Sequence, residues 1–104
     1  MKKEIIQVKG IIVPPSPFNH IVKAGNFIFL SSQLSADIKI HKILDGDIKK
    51  QTKQALENIK FLLESAGSSM DNIVKCVIYM KDVKKDFDVM NEVYSTYFKE
   101  GKEP

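Results

Sequence analysis

The sequence predicts one domain of the α/β (α+β) class, residues 1–104, with strands and helices in the order β, β, β, α, β, α. Two observations support this prediction. Short runs of β-branched and aromatic residues lie in the first thirty positions and again at 72–80, whereas two longer segments after position 47 carry apolar residues at helical spacing. The 104 residues, 43% hydrophobic and 28% charged, have the size and composition of one folded domain.

Three strands are predicted in the first third of the chain. The first comprises two short runs of β-branched residues, Lys3–Val8 and Ile11–Val13, and prolines at positions 14, 15 and 17 then predict an extended loop. Two further strands, 20–23 and 27–31, flank Ala24-Gly25-Asn26, which is the pattern of a hairpin. A polar stretch, 37–47, follows these strands.

The first helix is predicted from position 48. Asp47 is suited to cap its N-terminus, and Gly67 stands where a glycine commonly ends a helix. Its apolar residues recur at the spacing of one helix face: Ile48, Ala55, Leu56, Ile59, Leu62, Leu63 and Ala66.

A fourth strand and a second helix complete the predicted order. Asn72–Met80 is almost continuously apolar, as is typical of a strand covered on both faces. The second helix should begin at Asp82 or Asp86 and end near Gly101. Its apolar stripe consists of Val83, Phe87, Met90, Tyr94 and Tyr97.

A helix that leaves a buried strand normally returns to the sheet through another strand. No residues remain after Pro104 for such a strand. We therefore expect the domain to be incomplete at its C-terminus, or to be completed by a partner.

Composition argues against several classes of function. The net charge is +3, and all 16 basic residues are lysine, so the chain has no arginine to hold a carboxylate or phosphate in bidentate fashion. No apolar run approaches the roughly 18 residues of a membrane span, and the N-terminus lacks a signal-peptide pattern. We expect a soluble cytoplasmic protein that does not bind membranes, and the mild charge gives little support to nucleic-acid binding.

Metal or cofactor binding is not predicted. His20, His41 and Cys76 are the candidate metal ligands, and none is spaced like a ligand pair on one element. The chain has neither a glycine-rich phosphate loop nor a nucleophile elbow. By spacing alone, Asn91 fits equally well a solvent-facing position and a functional one.

Three stretches resemble, in order and at compatible spacing, motifs of the Rid family, also called the YjgF family or L-PSP endoribonucleases: AGNFIFLSSQLS, KQTKQALENIKFLLESAGSSMDNIVKCVIYMKD and DFDVMNEVYSTYF. The resemblance runs from about Pro15 to Pro104. It implies a chorismate-mutase-like fold, with two helices on one face of a mixed sheet, and a homotrimer with ligand clefts between subunits. It also implies hydrolysis of enamine or imine acids such as 2-aminoacrylate to a keto acid and ammonia, without a cofactor.

The resemblance also assigns substrate-binding residues. Ser31 would touch the substrate carboxylate or an ordered water, and Ser32 stands where the family usually has glycine. Phe18 replaces a tyrosine found in many members. Phe87 and Asn91 match the family's Phe-x-x-x-Asn on the second helix, which gives Asn91 a place in the cleft.

The family's carboxylate-binding arginine and its water-orienting glutamate would both follow Pro104. No catalytic residue is therefore assigned within residues 1–104, and we expect weak or no activity from these residues alone. In a complete form, the resemblance implies an enzyme of the 2-iminobutanoate/2-iminopropanoate deaminase type. The alternatives are a non-catalytic trimer that binds a small metabolite, and an endoribonuclease or translation inhibitor.

Overall fold

A computed structural model describes residues 2–104 and confirms the α/β class. Its strands are β1 (Lys3–Ile5), β2 (Ile21–Ala24), β3 (Phe27–Leu30), β4 (Ala36–Asp37) and β5 (Lys42–Ile43). Its α-helices are α1 (Ile48–Ser65) and α2 (Val83–Ser95), and a short 3-10 helix, Met70–Asn72, lies between them. Neither α-helix is long and apolar enough to cross a bilayer in this part of the chain.

The main sheet has the order β1-β2-β3, and both pairings are antiparallel. The predicted β2–β3 hairpin is confirmed, and Gly25 in its turn has φ 59°, a conformation that glycine adopts without steric cost. β4 and β5 form a second antiparallel pair, which lies within the stretch predicted only as polar except for Ala36. Residues 11–13, predicted as strand, form none, and the described residues contain no parallel pair that would make the sheet mixed.

Both predicted ends of α1 are confirmed. The Asp47 carboxylate accepts a hydrogen bond from the Lys50 backbone N–H at 2.9 Å, which satisfies one of the free donors of the first turn. At the other end Gly67 has φ 82°, and the Ser68 N–H donates to the Leu63 carbonyl at 2.8 Å. This is the Schellman arrangement, in which a left-handed glycine lets the chain turn away from the helix.

The core lies between α1 and one face of the main sheet. Leu62 on α1 and Ile21 on β2 are both 0% exposed, and each contributes about 1.5–3 kcal/mol by leaving water. α2 packs against α1 rather than directly over β1 and β2. The buried residues form two clusters: Leu56, Leu63, Met70 and Phe98, and Ile21, Ile38 and Leu62.

The predicted strand over residues 72–80 is not formed. Asn72 ends the 3-10 helix, and no backbone hydrogen bond of residues 74–80 is present in the described part of the chain. Burial on both faces is also wrong, because Val74 is 79% exposed and Tyr79 is 89% exposed. The apolar pattern is typical of a strand, but a strand requires a neighbour to satisfy its backbone groups.

α2 begins where the sequence predicts and ends earlier. The carboxylate of Asp82 caps its first turn by accepting from the Lys85 N–H at 3.1 Å. The helix ends at Ser95, one to two turns before the predicted end near Gly101. The chain then continues to Gly101 through turns rather than as helix.

The predicted apolar stripe of α2 is only partly buried. Met90 is 5% exposed, whereas Val83 and Phe87 are 54% and 47% exposed. Helical spacing identifies one face of a helix, but not how far along its length a neighbour covers that face. The first turns of α2 therefore extend beyond the core.

The second face of the main sheet is uncovered. Ile5, Val22 and Phe29 lie opposite one another across the three strands and hence on the same face. Phe27, two residues from Phe29, shares that face, and both phenylalanines are 60% exposed. An apolar surface of this kind is typical of a protein interface.

Candidate functional site

The candidate site lies where the proline-rich loop enters β2 and where β3 ends. Because Ile21 pairs with Leu30, the residues just outside this pair are also neighbours. The Ser31 backbone N–H donates to the His20 carbonyl at 3.0 Å. The hairpin thus places the segment from Phe18 to His20 beside the Ser31-Ser32-Gln33 segment.

Gln33 joins the two segments through its side-chain amide. The Gln33 Nε2 atom lies 3.2 Å from the Ser31 carbonyl oxygen, 3.3 Å from Ser31 Oγ and 3.4 Å from His20 Nδ1. Ser31 and Gln33 are half-buried, while Ser32 between them is exposed. Alternation along an extended chain explains this difference, since Ser31 and Gln33 point to the same side.

Three rings form the wall of the site. The Phe18 ring packs edge-on against His20, with centroids 5.5 Å apart, and the His41 ring lies 5.4 Å from His20. His41 belongs to the turn before β5 and has φ 58°, a left-handed conformation that side chains other than glycine adopt rarely. The β4–β5 hairpin thereby delivers His41 to the cluster.

His20 is the buried polar residue at the centre of this cluster, with 8% exposure. Burial lowers the pKa of its imidazole, and the nearby His41 lowers it further. The imidazole is therefore neutral at neutral pH. Its Nε2 atom has no hydrogen-bond partner among the described residues.

The predicted site residues are only partly brought together. Phe18 and Ser31 contact the His20–Gln33 cluster, and Ser32 adjoins it in sequence. Phe87 and Asn91 lie one turn apart on α2 and are both exposed. No side-chain hydrogen bond or ring contact in residues 2–104 joins either of them to the cluster.

Sequence reasoning missed His20, Gln33 and His41 as members of the cluster. The sequence did carry one signal: His20 immediately precedes a buried isoleucine, opposite the small polar residues that end β3. The sequence contains no such signal that His41 lies next to His20, because this contact depends on the short β4–β5 hairpin within a polar stretch. Contacts between distant loops are not visible in local periodicity.

The single cysteine is not part of the cluster. Cys76 is half-buried beside Tyr94, and burial raises the pKa of its thiol more than the hydrogen bond with Tyr94 lowers it. The thiol is therefore protonated at neutral pH. Within residues 2–104, no three His, Cys, Asp or Glu side chains are grouped in a way that could hold a metal ion.

Two cavities bear on ligand size. The one lined by His20 and Asn19 has a volume of about 20 Å³, which is room for a single water molecule. An open groove of about 750 Å³ runs between α1 and α2, and it shares no residue with the cluster. One copy of residues 2–104 thus provides a wall for a metabolite at the cluster but does not enclose one.

Known proteins resemble this chain along most of its length. Residues 11–104 match the family model described as endoribonuclease L-PSP. A RutC family protein of Pyrococcus horikoshii is 47% identical, over 96% of this chain and 79% of its own length. The chloroplastic reactive intermediate deaminase A of Arabidopsis thaliana is 31% identical, over 94% of this chain and 52% of its own length.

A solved structure gives the same result for the fold. The crystal structure of a Rid family protein of unknown function from Yersinia pestis has a TM-score of 0.85 and 28% identity, covering 94% of this chain and 77% of that one. The family model alone matches residues 11–104, and the two relatives align with 96% and 94% of the chain. The chain therefore belongs to the Rid family, also known as the YjgF or L-PSP endoribonuclease family.

Proposed function

We propose that this site serves the hydrolysis of small enamine or imine acids, such as 2-aminoacrylate, to a 2-keto acid and ammonia. The observation that carries the proposal is the Ser31-Ser32-Gln33 segment at the end of β3. It offers the half-buried Ser31 hydroxyl and the backbone of the exposed Ser32, and its Gln33 side chain lies against His20, which packs on the Phe18 ring. The similarity to a relative named as a reactive intermediate deaminase supports the same chemistry.

The proposed reaction needs positioning rather than a cofactor. The enamine first takes a proton on its methylene carbon and becomes the iminium acid. The oxygen of water then adds to the iminium carbon, and one proton passes from this oxygen to the nitrogen. The carbon–nitrogen bond breaks to release ammonia, and the remaining hydroxyl proton returns to solvent as the carbonyl of the keto acid forms. Ser31 Oγ and the Ser32 N–H would bind the substrate carboxylate and hold the iminium carbon in place.

Turnover by this sequence should be slow. The 104 residues contain no arginine, so the carboxylate depends on the hydroxyl and on backbone donors. A single hydrogen bond to a charged group contributes about 1.5–3 kcal/mol. The assay should therefore use excess protein.

The direct test supplies 2-aminoacrylate from serine with a separate dehydratase and follows its conversion to pyruvate. We expect the protein to accelerate pyruvate release, and Ser31→Ala to reduce the acceleration at least tenfold. Ser35→Ala is the matched control, because Ser35 donates to the Leu44 carbonyl and lies outside the cluster. Pyruvate binding without acceleration would favour a binding protein instead, and a Ser31→Ala variant as active as wild type would contradict the assigned role.

We also propose that the chain assembles as a homotrimer with the site at the subunit interface. The uncovered apolar face of the sheet supports assembly, because burying Phe27 and Phe29 would contribute about 1.5–3 kcal/mol each. A small cavity at the cluster is consistent with a second subunit forming the other wall. Light scattering should give three times the mass of the chain, and Phe29→Lys should yield monomers, whereas Lys23→Ala on the opposite face should not.

A further inference from the structure

The hydroxyl of Ser31 can either donate or accept a hydrogen bond, and its direction decides how well it binds an anion. Only a hydroxyl that donates outward stabilises a carboxylate. The group that contacts Ser31 Oγ inside the protein is the Gln33 amide, at 3.3 Å. The orientation of that amide therefore matters for the site.

The amide orientation follows from its other neighbours. The Ser31 backbone carbonyl, 3.2 Å from Gln33 Nε2, can only accept a hydrogen bond. The amide nitrogen must therefore face this carbonyl, because the amide oxygen would be repelled. The same nitrogen then faces Ser31 Oγ and His20 Nδ1, so both of these atoms accept from its two N–H groups, one of which is shared with the Ser31 carbonyl.

We propose that Gln33 is a positioning residue: its N–H occupies a lone pair of Ser31 Oγ and leaves the Ser31 hydroxyl proton to point at a bound carboxylate. The inference rests on the proposed function, since it assigns a direction to the hydroxyl that binds substrate there. It goes further by naming the group that sets this direction.

The amide orientation in turn sets the tautomer of His20. Because its Nδ1 accepts from Gln33, the neutral ring must carry its proton on Nε2, the atom that has no hydrogen-bond partner among the described residues. The ring is 8% exposed and is flanked by Phe18 and His41, which limits its rotation. Gln33 therefore connects the His20 ring, which it contacts through Nδ1, with the direction of the Ser31 hydroxyl.

The first test requires no substrate. Two-bond proton–nitrogen NMR spectra of the wild-type protein distinguish the two neutral tautomers of histidine. We expect His20 to carry its proton on Nε2, and Gln33→Glu to move the proton to Nδ1 because a carboxylate can only accept. A wild-type His20 protonated on Nδ1 would mean that the amide oxygen faces it, and would overturn the inference.

The second test is a double-mutant cycle read by pyruvate binding. Gln33→Met keeps the length of the side chain but removes the donor, so the Ser31 hydroxyl can turn inward. We expect Kd for pyruvate to rise about three- to tenfold in this variant, and to stay unchanged when the same substitution is made in Ser31→Ala protein. Two-dimensional spectra of each variant verify that it is folded.

The outcomes separate this inference from the proposed function. An equal loss of affinity with and without the Ser31 hydroxyl would show that Gln33 acts through general packing, and the inference alone would fail. If wild-type protein binds no pyruvate and hydrolyses no 2-aminoacrylate, the proposed function fails and the inference falls with it.

Discussion

Replacing Asn58 with aspartate should strongly destabilise the protein. Asn58 lies on α1 and is 4% exposed. Its Nδ2 donates to the Leu34 carbonyl at 3.1 Å and to the Ala36 carbonyl at 2.9 Å. Gln54 donates to its Oδ1 at 2.9 Å. These bonds attach the segment after Gln33 to the helix.

The magnitude follows from the Ala36 carbonyl and from the new charge. The Ala36 carbonyl loses its donor in Asn58→Asp, and an unsatisfied buried group costs about 1–3 kcal/mol, whereas the Leu34 carbonyl still accepts from the Ala36 N–H at 2.8 Å. A charged carboxylate close to two carbonyl oxygens adds a further cost, so we expect a loss of about 3–5 kcal/mol at neutral pH. This is a large share of the roughly 5–15 kcal/mol that stabilises a typical domain.

Urea unfolding followed by circular dichroism measures the loss directly. The deficit relative to wild type should shrink at acidic pH, since the introduced carboxyl group can donate one hydrogen bond again once it is protonated. Gln54→Ala is the matched control, because it removes one bond to Oδ1 and leaves both carbonyls paired; it should cost less than about 1 kcal/mol. If Asn58→Asp costs no more than this control, Asn58 does not hold the segment, and the reasoning is refuted.

Three further predictions concern His20, His41 and the core. Burial and His41 lower the pKa of His20, so near pH 6.5 the unfolded chain binds a proton at this residue that the folded chain does not. The free energy of unfolding should therefore be constant above this pH and fall below it. In the His20→Gln variant, the urea midpoint should fall less steeply as the pH is lowered. His41→Gly should be about 1 kcal/mol more stable than His41→Ala in the same measurement, because both lose the ring and only alanine keeps a Cβ at φ 58°. Leu62→Ala should cost about 2–5 kcal/mol in calorimetry, whereas Val89→Ala, at a 40% exposed position, should cost less than about 0.5 kcal/mol; equal losses would contradict the core assignment.

Most of the fold was predictable because its signals are local. Asp47 and Gly67 mark the ends of α1 through their own conformational preferences, and Gly25 marks the hairpin. The strand predicted over residues 72–80 failed for a different reason. Its apolar pattern is an intrinsic property, but pairing requires another strand, and sequence periodicity does not say where that strand is.

The site was less predictable than the fold. Phe18, Ser31 and Ser32 follow from family resemblance, and the structure places two of them in contact with the cluster. Gln33 looks in the sequence like no more than a polar end to a strand. The role proposed for it depends on which acceptors surround its amide in three dimensions, and neither residue type nor spacing contains that information.

Residues 74–80 have a consequence for how the protein must be handled. A mostly apolar segment with unused backbone donors and acceptors is a template onto which an identical segment from another molecule can add, and such addition leads to aggregation. Lys75 is the charged residue within the stretch, and Lys81 borders it. Two like charges at such positions repel identical neighbours and act as gatekeepers. Refolding yield should therefore depend on protein concentration and on salt, which weakens that repulsion.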